Sequence, residues 1–213
     1  MKSKLQQTLE KNSKVITAEL MPPRGGDPIR SLKIAQLLKN KVHAVNVTDG
    51  SRAIMRMCSL AMSKLLLESG IEPIMQISCR DRNKIAIQSD ILGANALGIK
   101  NILCITGDSV KAGDQQETKA VHEFEAVRLL KQIQSFNQGI DPTFEQLPDK
   151  STKIFSGAAV DPSCRNQRSL KMIENPTSDE EKILGKFRSK SNRRRIQRKN
   201  ARISLRIRIA RIL

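Results

Sequence analysis

Residues Asn101–Asp108 read NILCITGD. Ile102, Leu103, Cys104 and Ile105 form an apolar run too short for a helix, with Gly98 upstream and Thr106-Gly107-Asp108 closing it. A continuous apolar run between turn signals marks a strand covered on both faces, as in parallel sheets. A carboxylate stands where this strand emerges, and in α/β barrels the working residues sit at such strand ends.

Outward from this stretch the chain repeats the unit. Strands are predicted at Val15–Leu20 (VITAEL), Ala44–Thr48 (AVNVT), Glu72–Ser78 (EPIMQIS) and Lys153–Val160 (KIFSGAAV). Between them lie helical apolar stripes: Leu32, Ile34, Leu37 and Leu38; the Arg52–Ser69 stretch, with Gly70 at its end; Asn83–Leu97, stopped by Gly98; and Thr118–Phe136. Met55, Met57 and Met62 read as core filling within the second stripe. The first four strands begin roughly 28 to 30 residues apart, a βα-unit length. Five successive units predict a parallel sheet. A doubly wound sheet and a barrel both fit that spacing. Glu19, Thr48 with Asp49, Arg80 with Asp81, Asp108 and Asp161 each close a different strand, which favours a (β/α)8 TIM-type barrel with about five units present. No G-x-G-x-x-G follows the first strand, which counts against a Rossmann dinucleotide site.

Composition bounds the rest. The 213 residues include 2% aromatics and no Trp or Tyr, so the core is aliphatic. Cys58, Cys79, Cys104 and Cys164 show no metal-ligand spacing and read as reduced, half-buried thiols of a cytoplasmic protein. No metal site is predicted. The start, LQQTLEKNSK, is too polar for a signal peptide, and no apolar run is long enough to span a membrane. The net charge of +17 is localised: all 21 acidic residues precede Lys182, and 13 of the 38 basic residues follow from there. Residues 1–181 thus hold 25 basic and 21 acidic residues, leaving the excess in the tail.

Each polar feature also has a bland reading. A Gly-Asp after a strand is commonly a turn, Arg80-Asp81-Arg82 reads equally as a surface ion-pair cluster or helix cap, and His43 and His122 read as structural. Taken in order, however, AELMPPRG, VNVTDG, ISCRDRN, SDILGANALGI, NILCITGD and GAAVDP resemble the methylenetetrahydrofolate reductase family, over roughly Val15 to Lys171. The resemblance implies a flavin-dependent (β/α)8 barrel, an oxidoreductase acting on CH–NH donors. It implies FAD, a folate substrate reduced from 5,10-methylenetetrahydrofolate to 5-methyltetrahydrofolate, and a place in one-carbon and methionine metabolism. Electrons would come from NAD(P)H or a redox partner protein, and a homo-oligomer is possible.

Carried over by position, Glu19 is the implied general acid, protonating N10 so that the imidazolidine ring opens to an iminium ion. It must hold a proton near neutral pH, which burial at the barrel mouth would supply. Asp108 is the implied acid near flavin and pterin, favouring hydride donation and offsetting the cation. Thr48 and Gly107 are implied flavin contacts. Gln76 stands where some members have His, and Thr106 where some have Arg. Arg80 and Asn83 belong to a motif shared with part of the family.

After Arg168-Ser169-Leu170-Lys171 the family pattern stops. The sixth strand with its Thr-Gln pair is missing from MIENPTSDEEKILGKF and from the Arg- and Ile-rich text beyond it. The expected division is a partial barrel over 1–172 and a non-family tail over 173–213, the product of truncation or out-of-frame reading, in a copy that is either active or a crippled relic of the family. The rival reading is a nucleic-acid-binding protein acting through Lys182–Leu213. Its cations would bind nucleic acid nonspecifically, but Phe187 alone could stack a base.

Overall fold

The structure is a computed structural model that describes residues 2–11, 13–143, 145–147 and 151–159, together with a two-residue strand at 210–211. Asp161, Cys164 and the tail side chains, on which the sequence raised expectations, lie outside the described residues.

The chain runs α1 (Lys4–Glu10), β1 (Thr17–Leu20), α2 (Ile29–Leu38), β2 (Ala44–Val47), α3 (Ser59–Glu68), β3 (Pro73–Ser78), α4 (Lys84–Ala96), β4 (Asn101–Ile105), α5 (Ala126–Asn137) and β5 (Phe155–Ala158). The five strands are parallel and adjacent in chain order. A short β6 (Ala210–Arg211) pairs antiparallel with β5. Sequential order with a helix between each successive pair of the strands β1 to β5 is TIM-barrel winding, and the fold is α/β of that type.

Strand residues alternate between two layers. One set faces the helices: Met75, Ile77, Ile102, Cys104 and Ala158 pack with Ile87 and Ile91 of α4 and Leu129 and Ile133 of α5. Leu20, Val45 and Val47 pack with Ala35 of α2 and Met62 and Leu66 of α3. The opposite set points into the concave side. At its N-terminal end Ala44, Ile74 and Leu103 meet Leu5 of α1. Helix α1 therefore covers the bottom of the sheet, capped by Ser3, whose Oγ accepts the Gln6 N–H at 3.0 Å. The Glu72 carboxylate accepts the Lys4 and Leu5 amides at 2.8 and 2.9 Å, fixing α1 to the start of β3.

Two helices are shorter than their apolar periods predict. The 52–69 stripe becomes helical only from Ser59, because Gly50, Arg52 and Ala53 hold φ of 54°, 58° and 55° in a tight turn. Met62 is buried, but Met55 is exposed rather than core. The 118–136 stripe is helical only from Ala126. Residues 118–125 fold back as a loop, with the Val121 N–H on the Arg80 carbonyl at 2.8 Å, His122 at φ 47°, and Phe124 inserted into the core. The thiols divide too: Cys79 and Cys104 are fully buried and Cys58 is exposed, so none matches the expected half-burial. Burial pushes the Cys79 thiol up to about 11, which leaves it inert as a nucleophile.

Candidate active site

The upper part of the concave face is polar. Parallel register sets Glu19 of β1 beside Asn46 of β2, and Asn46 beside Ile74. Further along, Gln76 stands beside Leu103, and Ser78 beside Ile105. Thr48, immediately after β2, continues the inward row of Ala44 and Asn46. Glu19, Asn46, Thr48, Gln76 and Ser78 thus line one face at the C-terminal strand ends, where barrel chemistry resides. The Thr48 Oγ1 and Asn46 Oδ1 atoms are buried without a hydrogen-bond partner.

Loops beyond the strands are tied across this mouth. Arg80 is 3% exposed. Its guanidinium donates to both Asp81 carboxylate oxygens at 2.6 Å, to the Gly50 carbonyl at 3.0 Å and to the Asp108 carbonyl at 3.3 Å. One side chain therefore joins the loops that follow β2, β3 and β4. The Asp81 hydrogen bonds, with the nearby charges of Asp81, Asp108 and Asp49, raise the Arg80 pKa above its ordinary value against the opposing effect of burial. The Asp108 carboxylate accepts the Arg52 N–H at 2.7 Å, a second tie between the β2 and β4 loops. Gly113 is a third, for a Cβ there would lie within 2.9 Å of the Ala53 Cβ. The β1 loop joins through the Arg24–Asp114 ion pair and through Arg56, which donates to the Pro22 carbonyl at 3.0 Å.

Asp49 is a buried fastener. Its Oδ2 accepts the Ser78 N–H at 2.8 Å and Arg82 Nη2 at 2.5 Å, and Arg82 pairs in turn with Asp90 at 2.9 Å. Burial raises the Asp49 pKa, with Arg82 and the Ser78 amide working against it. Asn83 acts locally, its Oδ1 capping α4 by accepting the Ala86 N–H at 2.9 Å.

The residues singled out by sequence fall into three groups. Glu19, Thr48 and Gln76 share the concave face. Thr106, Gly107 and Asp108 form the turn leaving β4, with Thr106 and Asp108 exposed. Arg80 lies under that turn with its donors turned to protein oxygens. Gly107 has φ 95°, and a Cβ there would collide with the Ser78 hydroxyl and sit 2.9 Å from the Arg80 Cβ. Glycine is therefore required where the turn presses on the β3 loop. The expected burial of Glu19 is not found: the side chain is exposed, because β1 is an edge strand whose outer side has no described neighbour. Asn46 and Arg52 are absent from the sequence reading. Asn46 differs from the neighbouring apolar strand residues only by being polar inside AVNVT, the one signal that could have marked it.

A cleft of about 510 Å³ opens at the other end, between α1 and the starts of β2 and β3, among Lys4, Lys11, Lys39 and His43. It lacks the strand-end polar row, so the concave mouth is the better candidate. Among the described residues no cluster of His, Cys, Asp and Glu has the makings of a metal site.

The methylenetetrahydrofolate reductase family profile matches residues 4–157. The chain belongs to the methylenetetrahydrofolate reductase family. No curated protein matches the chain. The match spans α1 to β5 and thus every residue of the concave mouth named above. It places the chain among oxidoreductases of folate metabolism. Among the described residues no helix is long and apolar enough to cross a membrane.

Proposed function

We propose that the concave mouth binds FAD and 5,10-methylenetetrahydrofolate and reduces the folate to 5-methyltetrahydrofolate. The observation that carries this reading is the inward polar row of Glu19, Asn46, Thr48 and Gln76 at the strand ends, with two of its polar atoms buried and unpartnered. Buried polar groups are normally hydrogen-bonded, so an orphaned Thr48 hydroxyl beside an inward Gln76 amide fits the donor–acceptor edge of a flat heterocycle such as the isoalloxazine ring.

Glu19 delivers a proton to N10 of the folate, opening the five-membered ring to a cationic iminium centred on N5. Its exposure at the mouth gives the proton a route from solvent, and the burial that holds the proton near neutral pH would come from the rings bound over it. When bound, the flavin supplies the hydride that reduces this carbon. Asp108 offsets the positive charge as it develops, in the manner of an electrostatic stabiliser. Thr48 and Gln76 orient the rings. Arg80 holds the three loops around them, and reaches a ligand only through the geometry of Gly50 and Asp108. NAD(P)H or a redox partner protein would be the source of the electrons.

The test is a titration of the full chain with FAD, read by flavin fluorescence. Binding in the micromolar range, weakened about tenfold by Thr48→Val through loss of one hydrogen bond, supports the proposal. A parent chain that binds no FAD at that concentration overturns it.

A further inference from the structure

Resting on that reading, we infer that Asn46 is a substrate-positioning residue, its side-chain amide reserved for the polar ring edge of the folate that reaches Glu19. Register puts Asn46 directly beside Glu19. Adjacent strands lie about 4.8 Å apart, so side chains at paired positions on one face meet the same ligand atoms. On its other side Asn46 has Ile74, which offers nothing polar.

The Asn46 Oδ1 is buried and unpartnered, and so is Thr48 Oγ1, the next inward group along the strand. Several other polar side chains of the sheet and its flanks are served by the protein, although the Ser63 hydroxyl on α3 is not. The Ser78 hydroxyl accepts the Arg80 N–H at 3.3 Å, and the Ser59 hydroxyl donates to the Gln76 carbonyl at 2.7 Å. Asn101, whose oxygen also lacks a partner, still donates from its nitrogen to Glu72 and to the Pro73 carbonyl at 3.1 and 3.0 Å. Strand alternation puts Asn46 and Thr48 on the concave face with Ala44, so their unmet demand lies on that face.

Height along the strand separates the two ligands. Thr48 lies one inward step nearer the mouth, at the level of Gln76, whereas Asn46 is level with the proton donor. A pterin ring carries adjacent donors and acceptors, and a side-chain amide supplies one of each. An apolar residue at position 46 would fold equally well but would leave those ring atoms unpaired, the strongest form of discrimination available to a binding site.

The experiment compares the full chain with Asn46→Leu and Asn46→Ala, using thermal unfolding without ligand and equilibrium binding of FAD and of 5-methyltetrahydrofolate. The leucine variant is expected to melt at or above the parent, since it removes an unsatisfied amide at similar volume. Both variants should bind the folate about tenfold more weakly, with FAD affinity within about twofold of the parent. The alanine variant carries the binding test if leucine does not fold. Parent-like folate affinity in either variant overturns the inference and leaves the proposed function standing. A lowered melting point with leucine, or a loss confined to FAD, overturns it also, by giving the amide a structural or flavin role. A parent that binds neither ligand removes both readings, and is distinguished because it is measured first.

Discussion

The Asp108 carboxylate, leaving β4, accepts the backbone N–H of Arg52, in the turn after β2, at 2.7 Å. Arg52 sits at φ 58° and Ala53 at φ 55°, a conformation that non-glycine residues adopt at a cost. The proposed electrostatic stabiliser of the reaction is therefore also the brace of a strained turn, and the two roles separate by substitution.

Asp108→Asn retains an acceptor for Arg52 but loses the charge. It should change stability by less than about 1 kcal/mol while slowing folate reduction and weakening folate binding. Asp108→Ala removes both roles and should cost about 2 kcal/mol, the usual penalty for a lost charge-assisted hydrogen bond. Urea unfolding alongside folate-reduction rates checks this. Equal stability losses in the two variants would show that charge, rather than the acceptor, braces the turn.

Gly107→Ala addresses the neighbouring position. At φ 95° with the Ser78 hydroxyl and the Arg80 Cβ in the way, alanine adds backbone strain to a steric clash. A loss on the order of 2–4 kcal/mol is expected, seen as a lower urea midpoint with an unchanged slope. Gly25→Ala, where a Cβ meets nothing within 4 Å, is the control and should be near neutral.

These tight spots explain which parts of the fold could be read from sequence. NILCITGD announces β4 because a strand covered on both faces needs an unbroken apolar run, and the helices after β3 and β4 show their apolar period. The turn at Gly50–Ala53 could not be read, since its left-handed residues include an arginine and an alanine and are held by Asp108 from another unit. Val121 and Phe124 keep helical spacing yet lie in a loop, because the Arg80 carbonyl captures the Val121 amide. Helix α1 is hidden in a polar stretch whose Leu5 and Leu9 find partners only once the sheet closes above them. The strand-end acids stood out, but which of them fasten loops, as Asp49 does, depends on strand register. Glu19 was legible as a strand-end carboxylate, whereas its exposure follows from its place on the edge strand.

Asp49 predicts a pH dependence. Burial raises its folded-state pKa above the unfolded value near 3.8, so the folded chain binds the proton more readily than the unfolded one. Its contribution is fully present below pH 3.8 and is lost as pH rises through the elevated folded value. Asp90, raised by burial in the same direction, reinforces the trend, and Arg82 opposes both. Relative to Asp49→Asn, the parent should lose stability as pH climbs above 3.8 and through the raised folded-state value. Parent stability that grows over this window would mean that the Arg82 pairing outweighs burial.

The proton donor decides the central claim. FAD-loaded chain, reduced without turnover and mixed rapidly with 5,10-methylenetetrahydrofolate, reports the folate half-reaction alone. The parent should reoxidise its flavin with formation of 5-methyltetrahydrofolate. Glu19→Gln should bind FAD and accept electrons as the parent does, yet transfer them to folate 10²–10⁴-fold more slowly, roughly the worth of a positioned general acid. Reoxidation by Glu19→Gln at the parent rate, or no reoxidation of the parent by the folate, would contradict the account.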